Sequence, residues 1–586
     1  MWDLKLGANY RDNELFFCVW APLHETLDLE VLGHKKQSMR RDEYGYFHAH
    51  LSSCPENAHY YYCFADGRRH ADPVSRSLPE GLTGPTQIIS PDTYPWTDGD
   101  WQGIDFSEFI FYEAHVGAFT QEGTFAAAAK KVPYLKELGI TCLEIMPIAH
   151  FPGRFNWGYD AGSLFAPYLG YGGVNGLKQL VDTCHQHGIS VCLDVVYNHL
   201  GPEDNYLTEF GPYLSPTYHT PWGKGLNYDG PESDHVRRLM VSNALYWLKE
   251  YHIDVLRLDA IGGIFDFSAV SFLSQLKHEV EALSQQVGRP LYLVAESDRN
   301  DATAIKDEAR GGISLHALWN DDFHHALHVL LTGEQDHYYQ DFTGMEDLAK
   351  AVRQGFVYDN KYSQFRKRHH GNSSGDIGLE KFIVFGQNHD QVGNRPNSNR
   401  INTQIDKESY KVAAFLNLLT PSIPMLFMGQ EYREEAPFHY FVDFKNEQLK
   451  QALYKAKKEE GALYTPNQQA FLDSKLSWEY NQEILELYRD LIALRKRHLP
   501  RGQITEGDGL HLFCDPERDS LSWEYETQDG SWVGVFCYFG NNALSKIPLP
   551  FESVKSKKIV YSTDPKVELK NNAINFLRNP SALFIL

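Results

Sequence analysis

Residues 176–199 read GLKQLVDTCHQHGISVCLDVVYNH, and this stretch contains the helix-strand pattern that decides the fold of the chain. Helical periodicity predicts a helix from Gly176 to His187. An apolar run then predicts a buried strand from Ser190 to Val196, and polar residues follow at its carboxyl end. A repeat of such units is typical of a parallel sheet that is covered by helices.

The same pattern recurs between residues 96 and 498. The eight apolar runs that predict strands are Phe109 to Glu113, Cys142 to Ile148, Ser190 to Val196, Val255 to Asp259, Leu291 to Glu296, Leu315 to Trp319, Phe382 to Gln387 and Pro424 to Gly429. Three further helices are predicted at Phe125 to Leu138, Asp234 to Tyr251 and Ala269 to Gln286. Because the bare fold needs about 250 residues, this length predicts an α/β protein built on a (β/α)8 TIM barrel with enlarged loops.

Alternating apolar and polar residues predict a β domain on each side of this region. Residues 1–95 alternate in short runs, as at Phe16 to Trp20, and predict an N-terminal β-sandwich. Residues 499–586 alternate again, as at Ser520 to Tyr525, and predict a C-terminal antiparallel β domain. The segment from Asp72 to Trp101 is rich in Pro, Gly, Thr and Asp, which favours an extended connection.

Composition restricts the class of partner. The chain has 55 Lys and Arg against 77 Asp and Glu, so its net charge is 55 − 77 = −22. This charge argues against nucleic acid or an anionic membrane surface as the partner, and favours a neutral substrate. Aromatic residues make up 13% of the chain, which would allow sugar rings to stack on some of them, although most are expected in the core.

No targeting segment or disulfide framework is predicted. The sequence has no run of 18 apolar residues and no cationic segment followed by an apolar stretch. The eight cysteines, at positions 18, 54, 63, 142, 184, 192, 514 and 537, form no CxxC pair and are interpreted as reduced core residues. We therefore expect a cytoplasmic protein without a membrane partner.

Acidic residues stand at the carboxyl ends of several predicted strands, where barrels of this kind place their reactive groups. Asp194 lies at the end of the third strand, Asp259 at the end of the fourth and Glu296 at the end of the fifth, while Asp390 follows the seventh. A single acid at such a position is weak evidence, because Asp often caps the next helix. Four such acids in one barrel predict a site built from carboxyl groups.

These segments, in this order, resemble the signature regions of the α-amylase family of glycoside hydrolases. The matching motifs are the Arg-x-Asp at Arg257, the Glu that ends the next strand, and the Asn-His-Asp that ends at Asp390. The resemblance implies a retaining mechanism with Asp259 as nucleophile, Glu296 as general acid and base, and Asp390 as the third carboxylate. Arg257 lies on the same face of its strand as Asp259 and would pair with its charge. Glu296 must instead hold a proton, which burial and a neighbouring carboxylate would favour.

Seven further residues are expected to bind substrate. They are Tyr159, Asp194, His199, Trp222, Arg257, Asn388 and His389. By the resemblance, Tyr159 stacks under the sugar being cleaved, and His199 and His389 donate hydrogen bonds to its hydroxyls. Trp222 lies in the long loop after the third strand and is predicted to contact the acceptor side of the cleft. The alternative is that Trp222 packs this loop onto the barrel.

Longer stretches resemble one branch of the family, the malto-oligosyltrehalose trehalohydrolases. They are residues 72–86, 220–229, 319–328, 388–395, 426–432, 437–438, 441–444 and 474–478. The resemblance implies cleavage of the α-1,4 bond next to a terminal trehalose unit, a carbohydrate-binding-like N-terminal sandwich, and maltooligosyl trehalose synthase as the pathway partner. One departure is Gly262, where the resemblance implies His on the leaving-group side of the cleft.

Two alternatives stay open at this point. A glucan branching or debranching enzyme shares the sandwich and the carboxylates but acts on α-1,6 linkages. A non-catalytic carbohydrate-binding protein on an amylase scaffold would have lost Asp259 or Glu296, and both are present. A retaining glycosidase needs no metal and no cofactor, and the spacing of His324, His325 and His328 predicts no metal site. The expected ligand is malto-oligosyltrehalose or a related α-glucan.

Overall fold

The computed structural model describes residues 4–11, 14–52, 57–90, 94–540, 546–555, 557–570, 573–575 and 580–586. Cys54 lies outside these ranges. The seven cysteines within them carry free thiols, as predicted. None of the helices in the described ranges combines the length and the apolarity that crossing a membrane requires.

Within the described ranges, nine short strands precede the barrel. They are β1 (Gly7–Arg11), β2 (Glu14–Trp20), β3 (Leu27–Val31), β4 (Gln37–Ser38), β5 (Arg40–Arg41), β6 (Tyr46–Leu51), β7 (His59–Phe64), β8 (Arg69–His70) and β9 (Thr86–Gln87). They form two antiparallel sheets, in the orders β1-β2-β6-β5 and β4-β3-β7-β8, and β9 pairs with β7. Phe17 of one sheet packs on Tyr60 of the other, with ring centroids 5.0 Å apart. The predicted N-terminal β-sandwich is confirmed.

Fourteen strands follow in the central region. They are β10 (Phe111–Ala114), β11 (Cys142–Ile145), β12 (Ala149–His150), β13 (Ser163–Pro167), β14 (Ser190–Val195), β15 (Leu214–Thr220), β16 (Gly223–Leu226), β17 (Val255–Leu258), β18 (Tyr292–Ala295), β19 (Ala317–Trp319), β20 (Asp359–Ser363), β21 (Arg368–Gly371), β22 (Phe382–Phe385) and β23 (Ile423–Phe427). Eight of them close a parallel barrel in the order β10-β11-β14-β17-β18-β19-β22-β23. The other six form three hairpins in the loops. The predicted (β/α)8 barrel is confirmed, with small differences at the strand ends.

Fourteen helices lie in the same region. They are α1 (Val116–Phe119), α2 (Phe125–Ala129), α3 (Val132–Leu138), α4 (Gly173–Gln186), α5 (Leu207–Phe210), α6 (Ser233–Glu250), α7 (Phe272–Val287), α8 (Asp321–Thr332), α9 (Met345–Gln354), α10 (His389–Gly393), α11 (Lys407–Leu419), α12 (Glu447–Glu459), α13 (Gln468–Asp473) and α14 (Gln482–Arg497). The prediction of one helix from Phe125 to Leu138 is wrong, because α2 ends at Ala129 and α3 starts afresh. Pro133 lies in the first turn of α3. Proline has no backbone N–H, so within a longer helix Pro133 could not donate a hydrogen bond to the carbonyl group of Ala129. Its ring would also clash with that group.

The last part of the chain is a second β domain. Its strands are β24 (Thr505–Glu506), β25 (Gly509–Asp515), β26 (Ser520–Glu526), β27 (Trp532–Tyr538), β28 (Ile547–Pro548), β29 (Ile559–Ser562), β30 (Glu568–Lys570), β31 (Ala573–Asn575) and β32 (Ser581–Ile585). They form a six-stranded sheet, β24-β25-β26-β27-β32-β29, and a three-stranded sheet, β28-β31-β30. Pairing is antiparallel apart from β24 with β25, so the predicted antiparallel domain is confirmed. The boundaries after residues 95 and 498 stay predictions.

Candidate active site

The side chain of Arg257 lies at the carboxyl end of the barrel and is fully buried. Arg257 is in register with Asp194 on the neighbouring strand β14, and its Nη1 donates hydrogen bonds to Asp194 Oδ2 and Asp259 Oδ1, both at 2.8 Å. Its Nη2 lies 3.3 Å from Glu296 Oε2, and its guanidinium lies 4.3 Å from the centre of the Trp319 ring. Asp194 is itself buried, and this burial raises its pKa. One guanidinium therefore gathers three carboxyl groups from three adjacent strands.

Asp259 is held by donors on both carboxylate oxygens. Arg257 occupies Oδ1, and Nδ2 of Asn198 donates to Oδ2 at 2.8 Å. The same amide group also donates to the backbone carbonyl of Asp259 at 3.0 Å. The side chain remains 13% exposed, so the carboxylate is oriented by the protein yet open to a ligand. Sequence reasoning missed this role of Asn198, whose signal is its position just beyond the third barrel strand.

Glu296 has a different environment. The backbone N–H of Ala260 donates to Glu296 Oε2 at 2.7 Å. Ala260 has a φ of 40°, in the left-handed region that L-residues rarely adopt, and this turn directs its N–H toward the carboxyl group. Burial raises the pKa of Glu296; the charge of Arg257 opposes the shift, whereas Asp259 and Asp321 add to it, and the resulting pKa is about 8. Glu296 therefore carries its proton at neutral pH.

A buried pair, Glu113 on β10 and His389 on α10, lies on the other side of the site. Glu113 accepts hydrogen bonds from the backbone N–H of His389 at 2.9 Å and from its Nδ1 at 2.5 Å. The Nε2 of His389 lies 2.9 Å from the hydroxyl of Tyr159 and 3.4 Å from Asp390 Oδ2. Burial lowers the pKa of His389, but the charges of Asp390 and Glu113 outweigh it and raise the pKa to about 9. His389 is therefore an imidazolium at neutral pH, and sequence reasoning missed Glu113.

Tyr159 connects this pair to the carboxyl groups around Arg257. Its hydroxyl donates to Asp194 Oδ2 at 2.7 Å, and its ring stacks on His389 with centroids 5.4 Å apart. The preceding Gly158 has a φ of 109°, and a Cβ at that position would lie 2.0 Å from the carbonyl oxygen of Pro147. Glycine is therefore required for the loop to approach the barrel and present Tyr159.

The motif that begins α10 contributes a cap and a carboxylate. Asn388 is buried, and its Oδ1 accepts a hydrogen bond from the backbone N–H of Gln391 at 2.8 Å, which caps the helix. The side chain of Asp390 is 41% exposed. Asp321, the first residue of α8, adds a further carboxyl group and accepts from Gln391 Nε2 at 3.1 Å. Burial and the charge of Asp390 raise the pKa of Asp321 to about 7. Sequence reasoning missed Asp321, although it directly follows Asn320 at the end of the sixth barrel strand.

His199 and Trp222 lie together on another wall. The two ring nitrogens of His199 lie 2.5 Å from Asn198 Oδ1 and 3.1 Å from the carbonyl oxygen of Tyr159, and burial lowers the pKa of His199. Trp222, at the tip of the β15–β16 hairpin, stacks on His199 with ring centroids 5.6 Å apart. It remains 53% exposed. Trp222 thus has both a contact with the site wall and a face that is open to a ligand.

Within the described ranges, no group of three or more His, Cys, Asp or Glu side chains is arranged to hold a metal ion. Two of the three His residues on α8 make ordinary structural contacts. Nδ1 of His324 lies 2.8 Å from the carbonyl oxygen of Gly386, and Nε2 of His328 lies 2.8 Å from Glu334 Oε2.

Comparison with known proteins agrees with the resemblance of the sequence motifs to the α-amylase family. Residues 87–220 match the family model of the α-amylase catalytic domain. The chain is 44% identical to malto-oligosyltrehalose trehalohydrolase of Saccharolobus solfataricus, over 84% of this chain and 87% of that protein. It is 40% identical to the enzyme of the same name from Arthrobacter ramosus, over 83% of this chain and 87% of that protein.

A solved structure has the same overall fold. The crystal structure of a putative α-amylase from Salmonella typhimurium is 33% identical and superposes with a TM-score of 0.90. The superposition covers 100% of this chain and 99% of that chain.

Replacing Glu113 with Gln should lower the pKa of His389, because the substitution removes a negative charge and an acceptor that favour the imidazolium. We expect His389 to titrate near pH 9 in the unmodified protein, and about 1 to 3 pH units lower in Glu113→Gln. The measurement is a pH titration by NMR of ¹⁵N-histidine-labelled protein, with the signal assigned by its loss in His389→Gln.

Glu144→Gln on the neighbouring strand is the matched control. Burial raises the pKa of Glu144 well above its ordinary value, which favours its neutral form, so we expect the substitution to remove little charge. The titration of His389 should therefore stay unchanged in this variant. A His389 pKa near 6.5 in the unmodified protein, or no shift in Glu113→Gln, would contradict the assignment.

Proposed function

Because this chain belongs to the malto-oligosyltrehalose trehalohydrolases of the α-amylase family, we propose that Asp259 and Glu296 hydrolyse the α-1,4-glucosidic bond next to the terminal trehalose of malto-oligosyltrehalose. The products are trehalose and a shortened malto-oligosaccharide. The observation that carries the proposal is the contact of Asp259 and Glu296 with neighbouring nitrogens of one buried guanidinium, that of Arg257. This arrangement places a carboxylate and a protonated carboxyl group side by side at the end of the barrel where substrates bind.

In the first step, Glu296 acts as the acid and Asp259 as the nucleophile. Glu296 donates its proton to the glycosidic oxygen while a carboxylate oxygen of Asp259 attacks the anomeric carbon. The bond between that carbon and the oxygen breaks, trehalose leaves as a neutral alcohol, and an ester joins the sugar to Asp259. The pKa of about 8 of Glu296 keeps the proton available at neutral pH.

In the second step, the two residues reverse this chemistry with water. The Glu296 carboxylate takes a proton from a water molecule whose oxygen attacks the anomeric carbon, and the ester bond to Asp259 breaks. Glu296 is protonated again and Asp259 is free. Two inversions at the same carbon return the α configuration, so the reaction retains stereochemistry.

The other predicted residues support these steps in different ways. Asp390, with its partly exposed side chain, is proposed to bind sugar hydroxyls and stabilise positive charge in the transition state. The imidazolium of His389 directs its Nε2 toward Tyr159 and Asp390, and we propose that these contacts orient both residues toward the sugar. Buried Asp194 and the helix cap Asn388 act through the residues they hold. His199, neutral and stacked on Trp222, is proposed to form the wall of the substrate cleft.

The proposed hydrolysis consumes an α-glucan whose reducing end has become an α,α-1,1 linkage. We therefore propose that the enzyme acts after a reaction that forms this trehalose end. We therefore retain maltooligosyl trehalose synthase as the proposed pathway partner, and the cytoplasm as the proposed compartment. The family membership does not favour a glucan branching or debranching enzyme. It also does not favour a protein that binds carbohydrate without hydrolysing it.

Product analysis with two tetrasaccharides tests this function. We expect maltosyl-trehalose to be cleaved to trehalose and maltose, at a higher kcat/KM than maltotetraose. Chromatography identifies the sugars, and NMR of the anomeric protons reports the linkages. New α-1,6 linkages would indicate a branching enzyme, and intact sugars would indicate a binding protein; either result would contradict the proposal.

Trp222→Ala should reduce the preference for maltosyl-trehalose over maltotetraose, because we propose that the open face of this indole stacks on the acceptor. The loss should be about 1 to 3 kcal/mol of discrimination in kcat/KM. Trp532→Ala in the C-terminal domain is a matched control, since Trp532 stacks on His511 with ring centroids 5.1 Å apart. Equal losses on both substrates with a lower melting temperature would show that Trp222 anchors its loop instead.

A further inference from the structure

Asp321 lies between the segments of the site that carry Glu296 and Asp390. Strand β19 pairs in parallel with β18 on one side and with β22 on the other. Glu296 directly follows β18, Asp390 belongs to α10 after β22, and Asp321 is the first residue of α8, just beyond β19. The three carboxyl groups therefore come from adjacent segments at the end of the barrel where substrates bind.

The side chain of Gln391 fixes the position of Asp321. Gln391 is buried. Its Nε2 donates to Asp321 Oδ1 at 3.1 Å, and its Oε1 accepts from the hydroxyl of Tyr338 at 3.3 Å. An amide whose nitrogen has an acceptor and whose oxygen has a donor is held in one orientation. Asp321 is therefore held in place by a neutral group, and this contact brings no positive charge to its carboxylate.

Acidic groups surround Asp321. The groups that face it from the neighbouring segments are Glu296, Asp298, Asp322, Tyr338 and Asp390. Four of the five are carboxyl groups, and the fifth is the tyrosine hydroxyl that also contacts Gln391. Because like charges repel strongly in a buried site, ionisation of Asp321 and ionisation of Glu296 disfavour each other.

Asp321 and Glu296 lose their protons at different pH. Burial is the main reason that the pKa of Asp321 is raised to about 7, and the charge of Asp390 adds to it. Burial also raises the pKa of Glu296; Arg257 opposes the shift, Asp259 and Asp321 add to it, and the result is about 8. Between these values the two groups hold one proton. That proton resides on Glu296, which donates it under the proposed mechanism.

We propose that Asp321 is a positioning residue for the proton donor: its carboxylate, fixed beside Glu296, opposes the negative charge that Glu296 would acquire and so keeps the proton there as the pH rises. This inference rests on the proposed function and assigns a role in it to a residue outside the three carboxyl groups that the family resemblance implies. Asp321 makes and breaks no bond and acts only through Glu296. The alkaline limit of hydrolysis therefore depends on Asp321.

The test is the pH profile of kcat/KM for maltosyl-trehalose in Asp321→Asn and Asp321→Glu. This profile reports the free enzyme, and its alkaline limb should follow the proton of Glu296. Removal of one like charge in Asp321→Asn should move the limb to lower pH by about 1 unit. The loss should be about 10-fold at about pH 9 and less than about 2-fold at about pH 6. Asp321→Glu keeps the charge and should recover most of the shift.

Two controls separate this role from general effects. Asp336→Asn removes an exposed carboxylate from the segment that follows α8, and it should leave the alkaline limb in place. The second control is α-maltosyl fluoride, whose fluoride leaves without an acid. Its kcat/KM reports the first step, so the limb for this substrate should not shift in Asp321→Asn.

An equal loss at every pH in Asp321→Asn would show a merely structural contact and overturn the inference, as would a limb that stays in place. A shift of the same size in Asp336→Asn, or with α-maltosyl fluoride, would also overturn it. If the unmodified protein releases no trehalose from maltosyl-trehalose, the proposed function fails and this inference fails with it. If trehalose is released and the limb does not move in Asp321→Asn, only this inference fails.

Discussion

The buried guanidinium of Arg257 is the interaction on which the rest of the site depends. A charge that is taken out of water into a barrel costs several kcal/mol unless partners with good geometry surround it. Arg257 finds these partners in Asp194, Asp259 and Glu296, which come from adjacent parallel strands. Closure of the barrel brings the carboxyl ends of these strands together, and the strand register aligns Asp194 with Arg257. The fold and the chemistry are therefore linked through one side chain.

Asp259 and Glu296 both contact the guanidinium of Arg257, but their other contacts differ. Asp259 receives a second side-chain donor from Asn198, which suits the fixed orientation that the proposed attack requires. Glu296 lies among other acids, and burial together with those charges keeps its pKa at about 8. Different environments for two neighbouring acids are the usual way in which one becomes the nucleophile and the other the proton donor. Asp390 and Glu113 extend the same principle to His389, whose pKa their charges raise to about 9.

The sequence predicted what depends on local pattern, and it missed what depends on contacts across the barrel. Buried parallel strands are nearly continuous apolar runs, so all eight were found. Asp259 and Glu296 were noted at strand ends, and the resemblance to the α-amylase family implied their roles. Pro133 was a sequence signal for the break between α2 and α3, which the prediction of one helix did not take into account. Glu113 was missed because its partner His389 lies 276 residues away. The contact between Asp321 and Gln391 depends on how the segments after β19 and β22 approach each other, which no periodicity encodes.

The most direct measurement is mass spectrometry of a trapped intermediate in Glu296→Gln with α-maltosyl fluoride. Fluoride leaves without an acid, so the first step proceeds, whereas the second step is slow because the base is absent. The account predicts that one maltosyl unit accumulates on the peptide that contains Asp259, and that no adduct forms when Asp259→Asn is added. An adduct on another residue, or release of β-maltose without any adduct, would contradict the retaining mechanism at Asp259.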